Sequence, residues 1–256
     1  MRHRPPRPPR PARAGRQPTW LYGRHPVLAA LANPDRRVEK ILATKDIADR
    51  HAAEFGNRVQ VVTREELAQR LPPGAVHQGM AALVAPLEEA ALEDILARCG
   101  EDALVLVLDQ VTDPHNVGAV LRSAAAFGVA GLVVTERNAP ADTGVLAKSA
   151  SGALELVPLV RAVNLARTLD QLKEAGFWLY GLDERGDTPI GTVDLRGRVG
   201  IVLGAEGEGL RRLTAEKCDR LVTIPTTAAL AALNVSNAAA VAAYEWACRR
   251  QGLHRP

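Results

Sequence analysis

Beyond residue 100 the chain alternates between two hydrophobic patterns. Largely apolar runs of four to six residues give way repeatedly to stretches in which apolar positions recur at helical spacing. The runs are Leu104 to Leu108, Gly131 to Thr135, Leu156 to Val160, Phe177 to Leu182, Val199 to Leu203 and Leu221 to Ile224. Their lack of polar alternation predicts strands buried on both faces. Between them, Asn116 to Phe127, Val145 to Gly152, Leu165 to Ala175 and the alanine-rich Ser236 to Arg250 predict helices, with Gly128 where a left-handed cap belongs. This alternation predicts an α/β fold with a parallel sheet covered by helices on both sides.

Residues 19–85 carry shorter elements and predict a separate, smaller α/β unit. Helical spacing runs from Gly23 to Leu31 and from Asp46 to Phe55, the latter closed by Gly56. Val38 to Ala43, Val59 to Val62 and Met80 to Val84 predict strands. Thr63 with Glu66 three residues later is a capping box that starts another helix, which Leu71-Pro72-Pro73-Gly74 breaks. A linker, 86–100, contains a helical segment from Glu89 to Arg98 and leads into the 101–256 unit.

Composition changes this picture at the N-terminus. Residues 1–18 hold six arginines, no acid and almost no apolar side chain, and are expected to be disordered. They can act as a polyelectrolyte arm toward phosphates or as a solubilising extension. The net charge of +3 resides in this tail; without it 26 basic residues face 29 acidic ones, a body at −3. Any polyanion must therefore meet the tail or local patches. Cys99, Cys218 and Cys248 are too scattered for a disulfide framework or zinc spacing. No apolar run is long enough to span a bilayer, and the first residues lack the apolar stretch of a secretory signal, so a cytoplasmic protein with no membrane association is expected.

In sheets of this kind ligands gather at the carboxyl ends of strands, and three loops there concentrate polar residues. The first, Asp109 to Gly118, places Asp113, Pro114, His115 and Asn116 at a helix start, with Arg122 six residues after Asn116 and expected on the same face. It suits an anionic or developing-anion ligand, although a proline turn with an N-cap asparagine would use the same residues. The second, Gly204-Ala205-Glu206-Gly207-Glu208-Gly209-Leu210, brings backbone close to a ligand. Its glycine order is neither dinucleotide fingerprint nor Walker motif, and two carboxylates repel a pyrophosphate, so it suits a neutral or cationic ligand or is a plain multi-glycine turn. The third runs from Pro225 to Asn237 and clusters Asn234, Ser236 and Asn237 ahead of a helix that needs only one cap.

Together the three loops resemble the signature motifs of the SpoU branch of the SPOUT methyltransferases. Leu108 to Gly118 with Arg122 and Phe127-Gly128-Val129 matches the first motif, Val202 to Leu210 the second, and Ile224-Pro225 through Leu233-Asn234-Val235-Ser236-Asn237-Ala238 the third. Tyr22-Gly23-Arg24-His25-Pro26-Val27 and His77-Gln78-Gly79 resemble the ribosomal-protein-like (L30e-like) substrate-binding domain of bacterial 23S rRNA guanosine-2′-O-methyltransferases. The resemblance implies a C-terminal trefoil knot, a homodimer, and S-adenosylmethionine as methyl donor with no metal. It implies that Gly204, Ile224 and Leu233 hold the cofactor, and that Asn116, Arg122, Glu206, Asn234 and Ser236 face the ribose and the transferring methyl. Thr226-Thr227-Ala228 and Ala232 depart from the family pattern beside the third motif.

The implied activity is methylation of a ribose 2′-hydroxyl of ribosomal RNA; tRNA as substrate and a non-catalytic RNA-binding module are the alternatives. The resemblance gives Arg122 the part of base. A guanidinium holds its proton to a pH of ~12.5 or above, so an electrostatic stabiliser of the developing alkoxide is the easier part for it.

Overall fold

The computed structural model describes residues 17–138, 144–205, 207, 209–227 and 233–252, and Glu206 lies outside them. The first sheet is built from β1 (Thr19–Tyr22), β2 (Val38–Ala43), β3 (Val59–Val61) and β4 (Met80–Val84), in the order β1-β4-β2-β3. It is mixed: β4 is antiparallel to β1 and β2, and β2 is parallel to β3. The helices threaded among these strands are α1 (Arg24–Ala32), α2 (Lys45–Arg50), α3 (Ala52–Phe55) and α4 (Arg64–Ala68). Both halves of the predicted capping box form, Glu66 N–H donating to Thr63 Oγ1 and Thr63 N–H to Glu66 Oε2.

After α5 (Leu92–Arg98), the chain enters β5 (Ala103–Leu108), α6 (Pro114–Phe127), β6 (Gly131–Thr135), α7 (Gly144–Ala150), β7 (Leu159–Ala162), α8 (Leu165–Glu174) and β8 (Trp178–Leu182). Then follow β9 (Thr188–Pro189), β10 (Arg198–Leu203), α9 (Arg212–Lys217), β11 (Arg220–Thr223) and α10 (Val235–Arg250). Seven strands form one sheet in the order β7-β6-β5-β10-β8-β11-β9, and every pairing is parallel. Among the described residues no helix is long and apolar enough to cross a membrane.

The unbroken apolar runs have the expected cause. Leu104, Leu106 and Leu108 of β5 face one core with Val117, Val120 and Leu121 of α6 and with Ala239, Ala242 and Trp246 of α10. Val105 and Val107 face a second core with Leu165, Leu169 and Leu172 of α8. Each such side chain contributes about 1.5–3 kcal/mol by leaving water, so a polar residue on either face of β5 would be costly.

The first core continues into the N-terminal unit through Leu21, Val27, Ile41 and Met80. The two units therefore meet along an apolar seam, and α7 is its strut. A Cβ on Gly144 would lie 2.6 Å from the Trp20 carbonyl oxygen, and one on Gly152 would lie 2.8 Å from the Ala29 Cβ. On α6, Gly118 gives the same close approach toward Ser149. One ion pair is buried in the seam: Glu155 accepts from Arg36 Nη2 at 2.6 Å, from Arg36 Nε at 3.0 Å and from Asn33 Nδ2 at 2.8 Å.

Several elements differ from the sequence pattern. The helix expected from Asp46 to Phe55 breaks at His51, whose ring turns inward to stack against Phe55 at 5.8 Å. The strand expected from Leu156 starts only at Leu159, because the 3-10 turn Ala153–Glu155 directs Glu155 at Arg36 and leaves Leu156 exposed. The linker helix starts at Leu92, after Ala91 N–H donates to Asp94. The strands β1 and β9 and the helix α9 carry too few residues for a period to register.

Candidate active site

The sheet brings three loops to one edge. Leu203 of β10 pairs with Leu108 of β5 on one side and with Leu182 of β8 on the other. Asp109, Gly204 and Asp183 thus begin their loops at the same level.

The first loop ends in α6, and here the structure corrects the expected cap. Asp113 is the N-cap, its carboxylate accepting from His115 N–H at 2.9 Å, with Pro114 in the first turn. Asn116 is therefore inside the helix and its side chain is free for other work. Its Oδ1 accepts from Asn234 Nδ2 at 3.0 Å. Asn234 caps α10 in turn: its Oδ1 accepts from Ser236 N–H at 2.9 Å and from Ser236 Oγ at 2.6 Å. Asn116, Asn234 and Ser236, from loops far apart in sequence, form one half-buried amide-hydroxyl cluster. The packing of α10 along α6 holds them together.

Arg122 does not share the face of Asn116. Six residues are one and two-thirds turns of α-helix, which sets the two side chains ~120° apart. Arg122 is exposed and has no ion pair or hydrogen bond among the described residues. His115 is also exposed, its Nδ1 lying 3.0 Å from Ser149 Oγ.

The second loop doubles back on itself. Gly209 N–H donates to the Ala205 carbonyl at 3.0 Å, and the backbone of Gly209 crosses so near the Gly204 Cα that a Cβ at Gly204 would collide with its carbonyl. Glycine is required at 204 for that reason. The returning limb is pinned from both neighbouring strands. Asp183, with its side chain 2% exposed, accepts from Leu210 N–H at 3.2 Å and pairs with Arg185 at 2.7 Å. The Arg185 guanidinium first, with the Arg185 and Leu210 backbone N–H groups, outweighs burial and holds the Asp183 carboxyl down at about 2. On the other side, the fully buried Asp109 carboxylate pairs with Arg211 at 2.6 Å.

Asp183 and Arg211 escaped the sequence reading. The available signal was an acid directly after a buried strand, which Asp109 and Asp183 share. Ile224 and Leu233 flank the third loop, half-buried at the rim of the main core. Their apolar side chains and the Cβ-free backbone at Gly204 fit a ligand held by apolar and main-chain contacts. Burial pushes the Cys218 thiol up to about 12 and raises Cys99 as well, so neither is an available nucleophile. No metal-ligating cluster of His, Cys, Asp or Glu occurs among the described residues.

Comparison with known proteins gives the family. Residues 103–244 match the SpoU rRNA Methylase family, and residues 20–90 match the RNA 2′-O ribose methyltransferase substrate binding domain. A 23S rRNA (guanosine-2′-O-)-methyltransferase of Vibrio cholerae is 43% identical over 235 residues, 88% of this chain and 94% of that protein. An uncharacterised tRNA/rRNA methyltransferase of Synechocystis is 39% identical over 248 residues, which are 92% of this chain and 64% of the longer relative. The crystal structure of the SpoU methyltransferase AviRb from Streptomyces viridochromogenes is 26% identical, with a TM-score of 0.78 over 93% of this chain and 91% of that one. The structure of the same enzyme in complex with AdoMet is 24% identical and shares the fold, with a TM-score of 0.78 over 91% of each chain. With its motifs gathered at one sheet edge and more than half its length matched, the chain belongs to the SpoU rRNA methylase family.

Proposed function

We propose that this protein transfers a methyl group from S-adenosylmethionine to a ribose 2′-hydroxyl of RNA, on a guanosine of 23S rRNA. The observation that carries the reading is the hydrogen-bonded Asn116–Asn234–Ser236 cluster at the same sheet edge as the folded-back glycine loop. The likeness to 23S rRNA (guanosine-2′-O-)-methyltransferases, 43% identical over 88% of this chain in the Vibrio cholerae relative, supports ribosomal RNA over tRNA.

In this reading Gly204, Ile224 and Leu233 hold the cofactor, which supplies a methyl group already activated by its sulfonium centre. The chain's own task is to ready the hydroxyl. Asn116, Asn234 and Ser236 orient the ribose; Glu206 joins them by its place in the loop. Arg122 stabilises the charge growing on the 2′-oxygen, whose proton leaves toward an RNA phosphate. The functional division is a tail at 1–18, an RNA-binding unit at 19–85, a linker at 86–100 and a methyltransferase unit at 101–256. The L30e-like character of the first unit and the trefoil knot of the second are part of the same proposal. Support for the knot comes from β10 and β11 each inserting between earlier strands and from α10 returning to α6.

The protein works as a homodimer in the cytoplasm, where its RNA substrate is. Val241 and Tyr244 lie exposed on α10, and Phe127 packs edge-on against Tyr244 at 5.9 Å, an apolar patch suited to a second copy. The test is transfer of labelled methyl to unmethylated 23S rRNA and tRNA, followed by ribose-methylation mapping. Label in a 23S guanosine is the expected result; label only in tRNA would move the substrate, and label in neither would end the proposal. Arg122→Ala is expected to lower turnover about 100–1000-fold while leaving cofactor affinity within about twofold. A matching loss of affinity in calorimetry would contradict its assignment.

A further inference from the structure

Among the described residues, the seam holds a cation with no counter-charge. Three lysines lie beyond residue 100. Lys173 pairs with Asp219 at 2.8 Å and Lys217 with Asp170 at 2.7 Å. Among the described residues Lys148, on α7, has only a neutral partner, the Gln78 amide oxygen at 3.2 Å. Gln78 sits at φ 53, a left-handed conformation unfavourable for a side-chain-bearing residue, and the same oxygen accepts from Arg24 N–H at 2.9 Å. The Lys148 ammonium lies against Gly23, where any Cβ would displace it. Burial alone lowers its pKa, with no acid acting in the opposite direction. An ammonium whose partner is a neutral amide leaves its charge open to an anionic ligand.

Its surroundings point the same way. Arg24, next to Gly23, is exposed and has no ion pair among the described residues. The acid on which Arg24 acts, Glu54, also meets His51 Nδ1 at 3.2 Å. The residue after Lys148 is Ser149, whose hydroxyl meets His115, the neighbour of Asn116. The cation thus stands where the substrate-binding sheet gives way to the amide cluster, outside the residues matched to substrate binding.

We propose that Lys148 is a contact for a backbone phosphate of RNA, and that Arg24 and Lys148 mark the track by which the strand crosses from the N-terminal sheet to Asn116. This rests on the reading of the chain as an RNA methyltransferase. A phosphate there is read without regard to base, so the contact sets position rather than sequence.

The test measures binding of poly(U) and of an unmethylated 23S rRNA transcript by the full chain against salt concentration. Lys148→Gln is expected to weaken binding and to make the slope of log affinity on log salt shallower by about 0.7 on the single strand, on both RNAs. Lys148→Arg keeps the charge and should keep the wild-type slope. A wild-type slope in Lys148→Gln overturns the proposal and leaves Lys148 a strut between the units. A measurement on the unaltered chain needs no variant to fold: poly(U) should protect Lys148 from acylation, and an unchanged acylation rate also overturns the proposal. If the unaltered chain binds neither RNA, the methyltransferase reading itself fails; if it binds and only the Lys148 results disagree, that reading survives.

Discussion

Glu155→Ala tests how firmly the two units are joined. The Glu155 side chain is 2% exposed and that of its partner Arg36 is 4% exposed. Truncation removes the acceptor for Arg36 Nε and Nη2 and for Asn33 Nδ2, leaving the guanidinium only the Ala85 carbonyl at 2.8 Å. Stranding a buried charge in this way costs about 3–5 kcal/mol. For a chain of this length each kcal/mol lowers the melting midpoint by about 2–4 °C, so a fall of about 6–20 °C is expected. Differential scanning calorimetry reads it directly. The double variant Arg36→Met with Glu155→Leu removes both charges and should recover most of the loss, because the penalty comes from the unpaired partner. A single variant within about 1 kcal/mol of wild type, or a double variant no better than Glu155→Ala, would refute the reasoning.

Asn234→Ala removes a cap and a cross-loop bond together, and should cost about 1 kcal/mol in urea unfolding along with turnover. Asn234→Ser still caps α10 but falls short of Asn116, so stability should return while turnover stays low; full activity would detach the cross-loop bond from catalysis. The Asp183 carboxyl, at about 2, lies below its unfolded value near ~3.9. Its contribution is complete above that unfolded value and is lost as pH falls through the folded one. Urea midpoints between about pH 5 and 2 should fall less steeply in Asp183→Asn than in wild type, and parallel curves would argue against the ion pair as the cause. Val241→Asp should turn a dimer into a monomer in sedimentation equilibrium, and a dimer of unchanged strength would place the contact elsewhere.

Much of this protein is set by chain-local chemistry. The strands β4 and β6 lie where apolar runs placed them, since a run unbroken by polar residues has no solvent face to offer. The Thr63–Glu66 box and the left-handed Gly128 are equally local, each settled within a few residues. The composition of the three loops was legible for the same reason, and with it the resemblance to the family.

Tertiary structure decided what those residues do to one another. Whether Asn116 caps a helix or reaches across to Asn234 depends on Asp113 having taken the cap and on α10 lying against α6, some 118 residues away in sequence. Asp109 and Asp183 became clamps because parallel register set two strand ends beside the glycine loop. The lone ammonium of Lys148 and the buried Arg36–Glu155 pair exist only once the two sheets dock. A sequence pattern reports what a residue does with its own turn or strand; partners far along the chain are chosen by packing, and the chemistry at this site is done between such partners.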